Sequence, residues 1–486
     1  MLTQTTQRYW AGMLTGIVIM ICLGWLKLIL TGNILTDHNP YPWELGYPVF
    51  ICFAGALLVF GISYWKFIWS NSPEKKNYKT EAYLVLILAS VMVPFVSNDV
   101  IIYLAHGYLS NNGVDVFSHV NILSQSVWAP HINDWKDGPF VYGPINLIPS
   151  KLANYVGREN LWLTFVTYRL MMLLAGIIII ELLNRIVQKP KDLLIVVLAP
   201  AFWLHNVGHM HNDLIAMLLI ITSLYFLVNK RIIIAAIFIG IAMASKVSIV
   251  IYIPFLYCYY FFTTDKNRMQ KLGIICVSIV LMLLTIIGCY MIFYTGTSSI
   301  EVPFAYLAKQ NANKSFAEIL GEILNVLLSD QSVQSQLEVV DIKKTDPKVY
   351  WWKISKTVFN AVGLMLFVIL GIIFIIKTKL KPTKEQVLEL FIKFSFIFFF
   401  IYLHIFQAWY LVLIAPLIVL STNVRLRKYF MILCCYSGVH TIMIAIARPS
   451  MLFILLPILV LVNIGLFLWQ FRKNYLTIEA GNIQVT

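Results

Sequence analysis

The chain has 486 residues, of which 59% are hydrophobic and 12% charged, and its formal net charge is +14. That charged share is about half of what soluble domains carry, which excludes a soluble globular fold, and continuous rather than alternating apolar runs exclude a transmembrane β-barrel. The Lys and Arg sit in short clusters between apolar runs, so the positive-inside rule accounts for the excess better than a nucleic-acid partner does.

Apolar runs near membrane-spanning length predict spans at 10–31, 48–69, 81–96, 161–184, 192–206, 213–228, 232–245, 247–262, 272–294, 358–376, 388–404, 409–421, 429–446 and 451–470. The expected architecture is an all-α polytopic integral membrane protein with about 12–14 transmembrane helices. Residues 1–486 read as a single membrane domain. The first run has no small-residue cleavage site before Asn33 and reads as a retained helix rather than a signal peptide. All seven cysteines (22, 52, 258, 276, 289, 434, 435) lie in apolar runs, so no disulfide is expected in the long polar loops.

The connections alternate in charge. Basic residues cluster at Lys75, Lys76 and Lys79; at Arg185, Lys189 and Lys191; at Lys230 and Arg231; at Lys266, Arg268 and Lys271; at Lys377, Lys379, Lys381 and Lys384; at Arg425, Arg427 and Lys428; and at Arg472 and Lys473. These are every second connection and the C-terminus, so both termini and these loops are expected in the cytoplasm. The other set, 32–47, 97–160, 205–212, the junction at Lys246, 295–357, 404–409 and the junction at Arg448, is then extracytoplasmic. Asn98, Asp99, His106, His209, His211, Asn212, Asp213, Lys246, Gln407, Trp409, Tyr410 and Arg448 all fall in this outer set. They are far apart in sequence, yet topology brings them to one membrane face.

Two outer loops, 97–160 and 295–357, are too long to be plain connectors. In the first, Asp99, Tyr103 and His106 fall at i, i+4 and i+7, one face of a helix beginning near Ser97. Trp128, His131 and Trp135 follow, and then Gly138 to Pro144, whose two Gly-Pro pairs enforce a turn.

Several of these residues carry two readings. Ser97-Asn98-Asp99 suits a helix N-terminus, a role compatible with catalysis. Two imidazoles and a carboxylate within His209–Asp213 can bind zinc, but no HExxH arrangement is present; positioning of substrate hydroxyls by Asn212 and Asp213 is the favoured reading. Lys246, between apolar halves, either snorkels to water or meets an anion. Arg448 runs against the positive-inside bias, which suits a bound phosphate. Arg169, about two turns inside its span, needs a carboxylate or a lipid phosphate. Gln407-Ala-Trp-Tyr410 is an aromatic outer edge, either an interfacial belt or a sugar-stacking surface. Walker A, GxGxxG, GxSxG and CxxC patterns are all missing, so nucleotide-driven transport and hydride chemistry have no support in the sequence.

Ser97-Asn98-Asp99, Tyr103, Gly107, Gly113-Val-Asp-Val-Phe117 and Tyr142-Gly-Pro144 together resemble the first outer loop of the bacterial polyprenyl-phosphate-mannose-dependent α-mannosyltransferases. His205-Asn-Val-Gly-His-Met-His-Asn-Asp213 is similar to their second-loop segment, which usually ends Gly-His-Asn-Asp. Ala244-Ser-Lys246 and Gln407-Ala-Trp-Tyr-Leu411 match two further blocks in the same order, so the resemblance covers roughly 90–420. Val114-Asp-Val-Phe117 replaces the more usual Leu-Asp-Pro-Tyr, and His209-Met-His211 stands where glycines are common. These departures bear on the sugar and the acceptor more than on the reaction class.

The resemblance implies a membrane glycosyltransferase of the C-type fold, with amphipathic helices in the first outer loop. It further implies inverting transfer of a hexose, with mannose first in line, from a polyprenyl-phosphate donor to a lipid-linked or polymeric envelope glycan outside the membrane. Carried over, Asp99 becomes the base that takes the acceptor proton. The phosphate leaves as a stable anion, so no second carboxylate is needed, and Arg448, Lys246 and Arg169 are the candidates to hold it. Asn98, Tyr103, His106, Tyr142, His209, His211, Asn212, Asp213, Gln407, Trp409 and Tyr410 are expected around the substrate, with Trp128, Trp135, Tyr142, Trp409 and Tyr410 offering faces to sugar rings. No cofactor is certain: a divalent metal stays open but is not favoured, since Asn98-Asp99 is not the Asp-x-Asp pair typical of metal-nucleotide sites. Two rivals stand beside this reading: a lipid-linked sugar flippase, which would more often carry mid-membrane polar groups and a repeat between halves, and an outer-face ligase or polymerase using a lipid-diphosphate oligosaccharide.

Overall fold

The structure, a computed structural model, describes residues 4–31, 43–70, 77–94, 99–118, 122–132, 138–293, 296–309, 347–379, 381–402 and 408–446. The 451–470 span, Asn98, Trp135, Gln407 and Arg448 lie outside the described residues, as does most of the 295–357 loop. Regular structure in the described residues is helical throughout, with no strand. Five of these helices are long and apolar enough to cross a membrane.

In chain order, α1 (Gln4–Thr31) pairs with α2 (Trp43–Ile68), and α3 (Lys79–Ser90) packs against α1 and the later α6. The first long loop supplies α4 (Asp99–Asn111) and α5 (Leu147–Gly157), which lie on each other and lead into α6 (Leu161–Ile186). After α7 (Asp192–Val197), α8 (Asp213–Val228) and α9 (Ile232–Met243) form a hairpin in the interior, followed by α10 (Tyr252–Thr263) and α11 (Arg268–Ile292). The second long loop contributes α12 (Ser298–Lys309). Then come α13 (Pro347–Thr378), α14 (Lys384–Phe396), α15 (Ala415–Leu420) and α16 (Val424–Ile446). Local signals set several starts: Asn160 and Asn267 cap α6 and α11, and Thr383 with Gln386 forms a capping box on α14.

The helices at the rim turn apolar side chains outward. Only 17% of the apolar window of α11 and 11% of that of α13 is buried within the protein. Leu284 and Ile287 on α11 and Leu364 and Ile372 on α13 are exposed, a surface suited to lipid and not to water. By contrast, every residue from Leu193 to Leu214 is buried.

The 213–228 span coincides with α8, but four other predicted spans are broken rather than continuous. The 192–206 run divides into α7 and a π-helical turn, Ala201–Gly208, with Pro200 at its head. The 247–262 run opens with a 3-10 turn, Val247–Ile251, before α10. The 388–404 run ends in a π turn, Ile397–Tyr402, and 409–421 divides into the 3-10 turn Ala408–Leu413 and α15. Irregular backbone at membrane depth is tolerated only where protein or a cavity surrounds it, and π turns concentrate at functional sites. The turns at 201–208, 247–251 and 408–413 flank the candidate site.

Candidate active site

Asp99 stands in the first turn of α4, where the unsatisfied N–H groups and the helix dipole favour an anion. Its side chain is 33% exposed, while Val100, Ile101, Leu104 and Ala105 are buried. Asn154 of α5 fixes the helix, donating from Nδ2 to the Leu104 and Ser150 carbonyls at 2.8 Å each. Trp128 is fully buried against the same asparagine, Nε1 to Oδ1 at 3.4 Å, so it packs the loop and offers no face to a sugar, contrary to the sequence expectation. Its indole is apolar bulk with one donor, and that donor is already aimed at Asn154.

The Gly138–Pro144 strap ties this loop to the Ala244-Ser-Lys246 segment. The Gly143 N–H donates to the Ser245 carbonyl at 2.9 Å, the Ile145 N–H to Ala244 at 3.1 Å, and the Asn146 amide to Ser245 at 3.0 Å. A Cβ added at Gly143 would stand 2.1 Å from the Ala244 oxygen, so only glycine permits the approach. The strap delivers Tyr142 to Tyr103, with hydroxyls 3.5 Å apart and rings edge to face at 5.6 Å. At its other end His106, predicted on the face of Asp99, instead lies between two backbone carbonyls, Nδ1 at 2.8 Å from Ile102 and Nε2 at 3.3 Å from Gly138. Burial pushes this imidazole down to about 4, against the pull of both carbonyls. His106 is therefore neutral near pH 7 and donates to one carbonyl at a time.

The second contribution comes from the chain between the π turn and α8. Met210 adopts φ +57°, a left-handed backbone that most side chains avoid, at the place where glycines are common in the resembling sequences. This turn lays the His211 ring flat on Trp409, centroids 4.1 Å apart and planes 14° from parallel. Trp409 is held in turn by Asn206, whose Nδ2 lies 3.3 Å from its carbonyl. His211 Nδ1 is then 3.6 Å from Asp99 Oδ2 and 3.5 Å from the Tyr103 hydroxyl, which is itself 3.4 Å from Asp99 Oδ2. Burial, then His205 and Lys246, hold the His211 ring well below the usual imidazole range. Burial foremost, then Tyr142 and Asp99, keeps the Tyr103 hydroxyl protonated. The contacts are longer than firm hydrogen bonds.

Two of the predicted cations, Lys246 and Arg169, have definite partners. Lys246 meets an anion of the chain itself: its Nζ is 2.5 Å from Asp213 Oδ1, both side chains are buried, and the ammonium lies 3.7 Å from the centre of the Tyr410 ring. Asp213, expected beside substrate hydroxyls, is thereby committed to Lys246 through one oxygen. Arg169, expected to need a carboxylate or phosphate, donates from Nη1 to the Ser90 and Met92 carbonyls at 2.5 and 2.6 Å, the C-terminal end of α3. Its Nη2 is buried and has no protein partner among the described residues. Lys27, which the sequence reading passed over, joins it: the side chain is 1% exposed and Nζ is 3.4 Å from the Pro94 carbonyl. A lysine near the end of the first span that the charge alternation assigns to the outside, against the positive-inside bias, was the signal available. His209 is buried behind His205, rings 5.7 Å apart; burial, the imidazoles of His205 and His211, and then Lys27 and Arg169 push it well below its ordinary range. Among the described residues no three His, Cys, Asp or Glu side chains are gathered in a metal-holding arrangement.

A relative in Corynebacterium glutamicum, described as alpha-(1->6)-mannopyranosyltransferase A, is 24% identical over 183 residues, 36% of this chain and 37% of that protein. One of the same description in Mycobacterium tuberculosis is 26% identical over 191 residues, 38% of this chain and 37% of that protein. Each similarity thus spans little more than a third of the relative's length. The profile of a family described as "Alpha-(1->6)-mannopyranosyltransferase, N-terminal domain" matches residues 9–261, just over half of the chain, and takes in the α4 helix, the strap, the 205–213 segment and Lys246. The chain belongs to this alpha-(1->6)-mannopyranosyltransferase family.

Proposed function

We propose that the chain is a membrane glycosyltransferase of the C-type fold that moves a mannosyl group from a polyprenyl-phosphate donor to an envelope mannan or glycolipid acceptor on the extracytoplasmic face. The observation that carries this reading is the half-open Asp99 carboxylate at the head of α4, with His211, Tyr103 and Tyr142 gathered around it. Asp99 takes the proton from the acceptor hydroxyl as that oxygen bonds to the anomeric carbon. The bond from the anomeric carbon to the phosphate oxygen breaks, and its electron pair leaves with the phosphate. Attack opposite the leaving group inverts the centre, so a β-linked donor gives an α-linked product, in keeping with the relatives' description. Arg169, through its remaining nitrogen, and Lys27 hold the phosphate charge; Arg448 belongs to the same proposal. Lys246 acts through Asp213 and Tyr410, shaping the pocket rather than neutralising the donor. Asn98, Asn212 and Gln407 are proposed to meet sugar hydroxyls and Tyr142 to offer an aromatic face, while Trp409 and Tyr410, buried beneath His211 and Lys246, back the site from within. Both termini are proposed to face the cytoplasm.

The test is Asp99→Asn in membranes supplied with a panel of polyprenyl-phosphate sugars and a short α-(1→6)-linked mannoside. Transfer from the mannose donor is expected to fall about 1000-fold while donor binding is kept. A flippase would give no glycan product from either version, and a polymerase would require a lipid-diphosphate donor. An Asp99→Asn variant with the wild-type rate would refute the assignment.

A further inference from the structure

Resting on the proposed transfer reaction, we infer that His211 is the positioning residue for Asp99, presenting a neutral Nδ1–H to Oδ2 so that the other carboxylate oxygen is aimed at the acceptor. Three observations carry this. First, His211 Nδ1 faces Asp99 Oδ2 at 3.6 Å and the Tyr103 hydroxyl at 3.5 Å, whereas Nε2 is buried with no protein partner among the described residues. A carboxylate next to one ring nitrogen selects the tautomer with the proton on that nitrogen. Second, the ring cannot swing away, because it is fully buried and lies flat on Trp409 at 4.1 Å. Third, the groups around it favour a neutral donor. Lys246, His205 and His209 approach from neighbouring segments, Tyr103, beside Tyr142 and within range of Asp213, remains protonated, and Asp99 is the acid whose oxygen faces Nδ1.

During transfer the acceptor O–H bond breaks and its proton goes to Asp99, not to His211, which keeps its Nδ1–H throughout. The imidazole favours the charged carboxylate before the proton arrives and holds its rotamer. Removing the donor makes the carboxylate easier to protonate, so the acid limb of the rate profile moves to higher pH.

The experiment uses the full chain in detergent with polyprenyl-phosphate mannose and a short α-(1→6)-linked mannoside. His211→Phe keeps the stack on Trp409 and deletes the donor; His211→Ala deletes both; His211→Asn places an amide N–H where Nδ1–H stood. Phe and Ala are expected to lower kcat about 10- to 100-fold, with KM for the donor within about threefold, and to raise the acid limb of kcat by about one pH unit. Asn is expected to return the limb to the wild-type position and most of the rate. If the Phe variant does not elute as folded protein, the Ala and Asn pair decides the matter. An unshifted limb in the donor-less variants, or an Asn variant as slow as Ala, would sink the inference while leaving Asp99 as base. Wild-type rates in Asp99→Asn, or no mannosyl transfer by the wild type, would instead remove the underlying reaction and this inference with it.

Discussion

The two ends of the helical bundle treat buried polar groups in opposite ways. At the end bearing the basic connections, the charged side chains are matched. Arg427 grips Asp192 with both terminal nitrogens, at 2.7 and 2.9 Å, and gives Nε to the Ser421 carbonyl at 2.6 Å. Lys191 caps the Ser70 carbonyl at 3.1 Å, Lys79 meets Glu181 at 2.7 Å, and Glu385 accepts the Thr422 and Asn423 N–H groups. At the Asp99 end, both nitrogens of His205, both polar atoms of Asn212, Asp213 Oδ2, His211 Nε2 and Arg169 Nη2 find no protein partner among the described residues. Each such buried group costs about 1–3 kcal/mol unless water or a ligand meets it. At the first end the fold matches the cited charged groups, leaving the Trp69 and Trp10 indole nitrogens without a hydrogen-bond partner among the described residues. The other holds more of its polarity in reserve, as the proposed hydroxyl-rich, anionic substrate would require.

The largest effects that separate these ends come from their two buried ion pairs. Breaking either one by a single change, Asp192→Ala or Asp213→Ala, leaves an uncompensated cation and is expected to cost about 3–5 kcal/mol in thermal unfolding of the solubilised protein. The double replacements divide the ends. Asp192→Leu with Arg427→Met is expected to regain both stability and mannosyl transfer, since that pair serves the fold alone. Asp213→Leu with Lys246→Met is expected to regain stability but not transfer, because Lys246 also lies against Tyr410 and Tyr142 beside the proposed site. Full transfer in the second double variant would erase the distinction drawn between the ends.

This division was partly legible in the sequence. Charge alternation along the chain is a one-dimensional property, so it gathered Asp99, His211, Asp213, Lys246 and Trp409 at one face before any coordinates, and the structure brings side chains of these residues together. The α8 helix was legible because Asp213 opens an uninterrupted apolar run. The breaks at 201–208, 247–251, 397–402 and 408–413 were not, because apolar periodicity carries no mark of a π or 3-10 turn inside a buried run. Partners were the other blind spot. Lys246 and Asp213 are separated by 33 positions, and Arg169 finds backbone carbonyls 77 and 79 positions away, to which no side-chain pattern points. Lys27 was hidden because a single lysine in an apolar helix reads as snorkelling.

A smaller effect probes how the strap joins the site. Gly143→Ala puts a methyl group within 2.1 Å of the Ala244 oxygen, and backbone cannot yield as a side-chain tip does. The strap must lift, weakening the bonds to Ser245 and Ala244, at an expected cost of about 1–3 kcal/mol. Transfer should fall about tenfold or more, because Tyr142 loses its place beside Tyr103 and Lys246. An alanine variant with wild-type transfer would show that the strap closes the fold without shaping the pocket.

The smallest expected effect sharpens the comparison within the site itself, at Met210. Its left-handed backbone is what turns the chain between His209 and His211, and its side chain is fully buried. Met210→Leu and Met210→Ile change the packing volume alike, so each should cost less than about 1.5 kcal/mol on packing grounds. They differ in branching at Cβ. A β-branched residue is a true outlier at positive φ, which adds about 1–2 kcal/mol for isoleucine alone. Relief of that strain would rotate the peptide toward extended geometry and lift His211 from Trp409. Isoleucine is therefore expected to unfold at a lower temperature than leucine and to transfer mannose a few-fold more slowly, an ordering that neither volume nor hydrophobicity predicts. Equal behaviour of the two isomers would mean that the Trp409 stack, and not the turn, sets the position of His211.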